Sequence, residues 1–130
     1  MKKNFKKFIC IGAVHVDKIM SLRTKYYLKR TNPVSQKKKI GGVAYNIASK
    51  IAILGNKTTL ISFNCNNELK KIIKKNNILF KPINKSIEDR SYITLIDKNK
   101  KLILGLADMD IYEKKINRFS SKLGKNKKII

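Results

Sequence analysis

Apolar and polar positions fall in blocks along the chain, and the blocks change period. Residues 8–14 form a continuous apolar run, with lysines before it and His15, Asp17 and Lys18 after it, which predicts a strand buried on both faces. Residues 40–55 read I-G-G-V-A-Y-N-I-A-S-K-I-A-I-L-G, with apolar pairs Val43/Ala44, Ile47/Ala48 and Ile51/Ala52 followed by Leu54. That spacing of three and four lays one broad apolar stripe along a helix. Gly41 and Gly42 stand where the first helical turn leaves N–H groups unpaired, and Gly55 stands where a left-handed C-terminal residue is expected. Residues 58–63 are β-branched and apolar, so strand, helix and strand follow in order and predict a parallel βαβ unit.

The remaining segments are read the same way. Residues 19–35 place Met20, Leu22, Tyr26, Tyr27 and Leu28 among cations without a clear period, which predicts one or two exposed β segments leading into the glycine pair. Leu69, Ile72 and Ile73 predict a short helix over Asn67–Lys75, and residues 78–83 a third strand. Ser91–Ile96 and Leu102–Ala107 flank a polar turn at 97–101 and predict a β-hairpin. Past Tyr112, the residues Ile116, Phe119 and Leu123 predict a last amphipathic piece running into a lysine-rich tail.

A length of 130 residues holds one domain at most, near the lower end for an α/β enzyme. The formal net charge of +23 points first to a polyanion, either nucleic acid or an anionic membrane surface. Three features weaken that inference. The cations are nearly all Lys, with only Arg23, Arg30, Arg90 and Arg118 as guanidinium groups, whereas phosphate and base recognition favours Arg. The lysine runs at 37–39, 70–71, 74–75 and 100–101 are spread over the chain, and its wealth of Ile and Asn is a bias acting on every solvent-facing position. A solvated lysine surface is therefore favoured over a dedicated nucleic-acid face, with non-specific binding of RNA or DNA at low salt expected under either.

Cys10 lies in an apolar strand and Cys65 in a polar loop, with no C-x-x-C and His15 as the one histidine, so neither a zinc site nor a disulfide is expected. Both read as thiols of a reducing cytosol. The N-terminus M-K-K-N-F-K-K-F-I-C-I-G-A-V has lysines before a short apolar run, as a signal peptide does, but the run stops at His15 and Asp17 without a small-residue cleavage site. No stretch approaches the roughly 20 apolar residues that span a bilayer. The expectation is a cytoplasmic protein with no membrane partner.

Candidate chemistry collects at a few positions. Asp17 falls just past the first strand's C-terminal end, the edge of an open α/β sheet where ligands bind, and could accept hydrogen bonds from hydroxyls or brace a loop. Gly41 and Gly42 would let a ligand approach the backbone at a helix N-terminus, and the Asn46 amide one turn on both donates and accepts. That set suits a polyhydroxylated ligand such as a sugar; equally, a Gly-Gly turn can simply precede a core helix. Asp108 and Asp110 would point the same way in an extended segment, as metal ligands or catalytic groups, or could mark a turn and helix start.

The order I-G-A-V-H-V-D, then G-G-V-A-Y-N-I-A-S-K-I-A-I-L-G, then T-L-I-S, then a hairpin ending L-A-D-M-D-I resembles the N-terminal part of the PfkB (ribokinase-like) carbohydrate kinases. Within that family it is most similar to the pseudouridine kinases. The resemblance runs over about residues 8–112, most of this chain and less than half of a full-length member. It implies an α/β fold, the N-terminal part of a ribokinase-like Rossmann-type sheet with a small β lid. One partial kinase domain would cover 1–130, with lid segments at about 18–35 and 89–107 and a helix and basic tail at 113–130. By resemblance Asp17, Gly41, Gly42 and Asn46 would hold the hydroxyls of a sugar or nucleoside substrate, with Tyr92 reaching it from the lid. The implied reaction is transfer of the ATP γ-phosphate to a sugar hydroxyl, with ATP and Mg²⁺ in the intact family.

The departures from the family's pattern are specific. His15 stands where many members have Asn, Tyr45 where pseudouridine kinases often have Arg, and residues 64–69 lack the usual Gly-Asp pattern. The D-T-x-G-A-G-D segment, which supplies the anion hole and catalytic base, is absent, and the 6 glycines form no G-x-x-x-x-G-K-[ST] loop. Only the acceptor end of phosphoryl transfer is present. No catalytic or metal-ligating residue is assigned, and the chain is expected to be inactive alone, as a truncated product, a decayed gene or one half of a split enzyme. An uncovered sheet edge with apolar faces is expected with it. Two readings from other classes stand beside this one: a small basic nucleic-acid-binding protein, and a pairing module that uses the edges of the lid hairpin as a homodimer surface.

Overall fold

The computed structural model describes residues 6–87 and 90–108; the expected C-terminal helix and basic tail, and Asp110, lie outside the described residues. The elements run β1 (Lys7–Ile11), β2 (His15–Leu22), β3 (Val34–Gly41), α1 (Val43–Ile53), β4 (Lys57–Ser62), α2 (Asn67–Lys75), β5 (Ile78–Pro82), β6 (Ser91–Ile96) and β7 (Leu102–Ala107). They form a parallel three-stranded sheet of order β1-β4-β5 and a mixed four-stranded sheet of order β3-β2-β6-β7. In the second sheet β2 pairs antiparallel with β3 and parallel with β6, and β6 pairs antiparallel with β7. This is the α/β sheet with a β lid.

Both helices pack on one face of the parallel sheet, because strand residues Cys10, Leu60 and Ile78 share a single buried cluster with Ala44, Tyr45 and Ala48 of α1 and Leu69 and Ile73 of α2. The alanines bring α1 close to the strands. Tyr45 reaches α2, where its hydroxyl accepts a hydrogen bond from Asn76 Nδ2 at 2.7 Å, so the residue that departs from the family's pattern ties the helices together. α2 starts on an Asn66 cap whose Oδ1 accepts from the Leu69 N–H at 3.0 Å, with Lys74 and Lys75 in its last turn complementing the helix dipole. The hairpin turn is held by Asp97 Oδ1, which accepts the Asn99 and Lys101 N–H groups, both at 2.8 Å.

Three expectations change. The first strand ends at Ile11 rather than running to Val14, and Ile9 and Ile11 are 59% and 40% exposed, because among the described residues only one face of the parallel sheet is covered. The stripe of α1 splits for the same reason: Ala44 and Ala48 are buried, while Val43, Ile47 and Leu54 face outward. Cys65, expected in a polar loop, is 1% exposed, since Asn64 anchors that loop through its N–H to Asn84 Oδ1 (2.7 Å) and its Nδ2 to the Lys85 carbonyl (2.8 Å). Burial also pushes the Cys10 thiol up, which keeps it protonated and inert. The lysine runs lie on β3, on α2 and in the β6–β7 turn, with single lysines on β1, β2, α1, β4 and β5, so the charge is not gathered on one element. Among the described residues no helix is long and apolar enough to cross a membrane.

Candidate functional site

Asp17 does not sit at the end of the first strand. The chain turns at Gly12 (φ +149°), and Asp17 is carried inside β2, on the lid sheet. Its register partners are Lys39 on β3 and Tyr92 on β6, while His15 is paired with Gly41. Alternation along β2 puts His15 and Asp17 on the same face. There His15 Nε2 lies 2.9 Å from Asp17 Oδ1, and Lys39 Nζ lies 3.6 Å from Oδ2.

The two glycines before α1 do different work. A Cβ on Gly41 would stand 2.6 Å from Asp17 Cγ, so the carboxylate is laid directly against the Gly41 backbone. Gly42 has φ +104°, and a Cβ there would stand 2.8 Å from the Ala13 carbonyl carbon. It is the residue that turns the chain past 13–14 and into α1, with the Asn46 N–H donating to its carbonyl at 2.9 Å. The Asn46 side chain is exposed one turn along.

The structure therefore brings Asp17 and Gly41 into contact, with Gly42 next in the chain and Asn46 opening on solvent. Tyr92 shares a row with Asp17, but its hydroxyl stands where a Cβ of Gly105 on β7 would be, on the far side of β6 from Asp17. A largely apolar groove of about 440 Å³ opens beside His15, between the end of β1 and the outward face of α1, with Ile11, Val43 and Ile47 in its walls. Asp108 is exposed, and among the described residues no three His, Cys, Asp or Glu side chains gather as a metal site. At Asp17 and Gly41 one carboxylate lies beside the entry to α1, too few ligands among the described residues for a Mg²⁺ site.

His15 is the site residue that sequence reading did not assign; its signal was the H-x-D spacing in a strand, which puts both side chains on one face. Burial lowers its pKa below the ordinary 6.5, against the pull of the Asp17 charge and with a further push from Arg90. The neutral ring donates from Nε2 to Asp17, leaving Nδ1 buried with no hydrogen-bond partner among the described residues. The unfolded chain binds a proton here that the folded chain resists, so this contribution to stability is complete above pH 6.5 and is lost as pH falls through the folded value. Urea midpoints measured over a pH series should fall with acidification below about 6.5 in the native chain, and His15→Asn should remove that part of the slope.

A three-stranded parallel sheet joined to a four-stranded mixed sheet is a ribokinase-like fold, as the solved structures it resembles show. The carbohydrate kinase from Agrobacterium tumefaciens superposes with a TM-score of 0.73 at 23% identity, over 83% of this chain and 37% of that one. The nucleoside kinase of Methanocaldococcus jannaschii, an archaeal member of the ribokinase family, does so with a TM-score of 0.63 at 20% identity, over 83% and 39%. In sequence the chain is 29% identical over 116 residues to the pseudouridine-metabolizing bifunctional protein of Schizosaccharomyces pombe, covering 81% of this chain and 15% of that protein. No family model matches. The chain thus spans under two-fifths of these two solved kinases and a small part of the curated relative.

Proposed function

We propose that this chain forms the acceptor-binding part of a ribokinase-type kinase, taking a sugar or nucleoside, with a pseudouridine-like nucleoside as its acceptor. The observation that carries this reading is the Asp17 carboxylate lying against Gly41 at the entry to α1. A carboxylate accepts hydrogen bonds from two neighbouring hydroxyls, and the first-turn N–H groups of α1 favour electronegative atoms beside it. His15 holds one carboxylate oxygen and Lys39 approaches the other from a distance that an incoming hydroxyl can replace. The similarity to a pseudouridine-metabolizing protein supports the choice of acceptor. In the intact kinase, ATP and Mg²⁺ would supply the phosphoryl group and neutralise its charge; the site around Asp17 supplies only the acceptor's side of the reaction.

Calorimetric titration with pseudouridine, uridine and ribose is expected to show saturable binding that Asp17→Ala weakens by about 10- to 100-fold. A labelled-ATP assay with the same acceptors should give no product from this chain alone. Turnover that disappears in Asp17→Ala would overturn the acceptor-only part of the reading while leaving the site in place. A lid-mediated homodimer is a further proposal, supported by Leu102, Leu104 and Leu106 of β7, which are exposed in alternate positions. Sedimentation at two concentrations should then give a mass that rises toward twice the monomer's, and Leu104→Lys should hold it at the monomer value.

A further inference from the structure

At the end of the lid away from Asp17, two loops come together. β2 and β6 run parallel with Ser21 beside Ile96, so the loop that leaves β2 and the β6–β7 turn emerge at the same end. They meet across a mostly apolar slot of about 290 Å³ with Leu22, Tyr26 and Ile103 in its walls. Residues 23–30 read R-T-K-Y-Y-L-K-R and are all exposed. At their apex Tyr26 is 46%, Tyr27 56% and Leu28 81% exposed. Cations stand on both sides of this apex, Arg23 and Lys25 before it and Lys29 and Arg30 after it, and the chain has no Asp or Glu between Asp17 and Glu68. The neighbouring turn adds Lys98, Lys100 and Lys101 at the same end, against Asp97, whose Oδ1 is already engaged by two backbone N–H groups. The apex is also fixed in shape. Asn32 Oδ1 accepts the Tyr27 N–H at 2.8 Å and Asn32 Nδ2 donates to the carbonyls of Tyr27 (2.8 Å) and Arg30 (2.9 Å), with Lys29 at φ +58° closing the turn. Those bonds satisfy backbone polar groups of the apex within the protein, which lowers the cost of moving it out of water.

The geometry points to a peripheral docking surface for an anionic bilayer, with Tyr27 and Leu28 entering the headgroup boundary and Arg23, Lys25, Lys29 and Arg30 pairing with lipid phosphates and carboxylates. Tyrosine suits that depth, because its ring is apolar and its hydroxyl stays wet. The leucine at the apex separates this reading from one of single-stranded nucleic acid, whose bases stack on aromatic faces and gain nothing from an exposed Leu28. Such a contact needs no bilayer-spanning stretch. The docking end lies beyond Leu22, at the opposite end of β2 from His15 and Asp17, so the acceptor site is left clear and the inference does not rest on the acceptor reading.

The test uses the full chain at about 150 mM ionic strength, where diffuse attraction to lysines is screened. The chain has no tryptophan, so Leu28→Trp places a single reporter at the apex and Ile53→Trp a matching one at the exposed end of α1. Vesicles of mixed phosphatidylcholine and phosphatidylserine should blue-shift the Leu28→Trp emission and open it to quenching by brominated acyl chains. Pure phosphatidylcholine vesicles should do neither, and the Ile53→Trp reporter should respond to neither lipid. In vesicle sedimentation, Tyr27→Ser with Leu28→Ser, which leaves every charge in place, should weaken binding at least about tenfold. Arg23→Gln with Arg30→Gln should weaken it at least about fivefold, and the charge-matched pair Lys50→Gln with Lys74→Gln by less than about twofold. Undiminished binding in the serine pair, equal losses in the two charge pairs, equal quenching of the two reporters, or an oligouridine that shields the Leu28→Trp reporter from acrylamide better than the vesicles do would each overturn the assignment.

Discussion

Gly42→Ala is expected to cost at least about 3 kcal/mol of folding stability, a large fraction of what a domain of this size has. Two independent penalties meet there. The backbone sits at φ +104°, which a residue with a Cβ adopts only under strain, and the new methyl would be driven into the Ala13 carbonyl, a backbone group that cannot swing aside. Gly55→Ala separates the two. Gly55 has φ +82° with nothing within 4 Å of the added atom, so it reports conformational strain alone and should cost only about 1 kcal/mol. Urea denaturation of the three proteins checks both values, and equal costs at the two positions would show that contact with Ala13 is not what fixes the turn.

Gly41→Ala should do the opposite, sparing the fold while removing acceptor binding. Gly41 has no left-handed backbone to strain, but its added carbon would fall on the Asp17 carboxylate, a side chain able to rotate away. Rotation would break the contact with His15 and move the oxygens off the α1 entry. Binding of pseudouridine should drop by about 10- to 100-fold, as in Asp17→Ala, and the double variant should be no worse than either single one. Additive losses would mean that the glycine and the carboxylate serve different ligands or different parts of one.

Much of this arrangement was legible in the residues, and the exceptions have physical causes. α1 and its ends could be read because a Gly-Gly pair, an alanine period and Gly55 each act locally. The hairpin could be read because Asp97 holds its own turn. The position of Asp17 was not legible, since the apolar run over 8–14 hides the turn at Gly12 that ends β1 and starts the lid. Nor was the one-sided burial of the parallel sheet: hydrophobicity records that Ile9, Val43 and Ile47 suit burial, but not what covers them. The Tyr45–Asn76 bond and the burial of Cys65 join segments far apart in sequence, and no local pattern encodes such contacts. The net charge invited a nucleic-acid partner, yet the lysine runs are distributed over β3, α2 and the hairpin turn, which fits a solvated coat better than a single binding face.

Whether the lid carboxylate and the glycine-led entry to α1 form one acceptor site is decided by an amide-resolved titration of the full chain with pseudouridine. Saturable shifts concentrated at Asp17, Gly41, Gly42 and Asn46, and absent in Asp17→Ala, are the expected result. Shifts that avoid the Gly41–Gly42 backbone, or that persist unchanged without the Asp17 carboxylate, would contradict it.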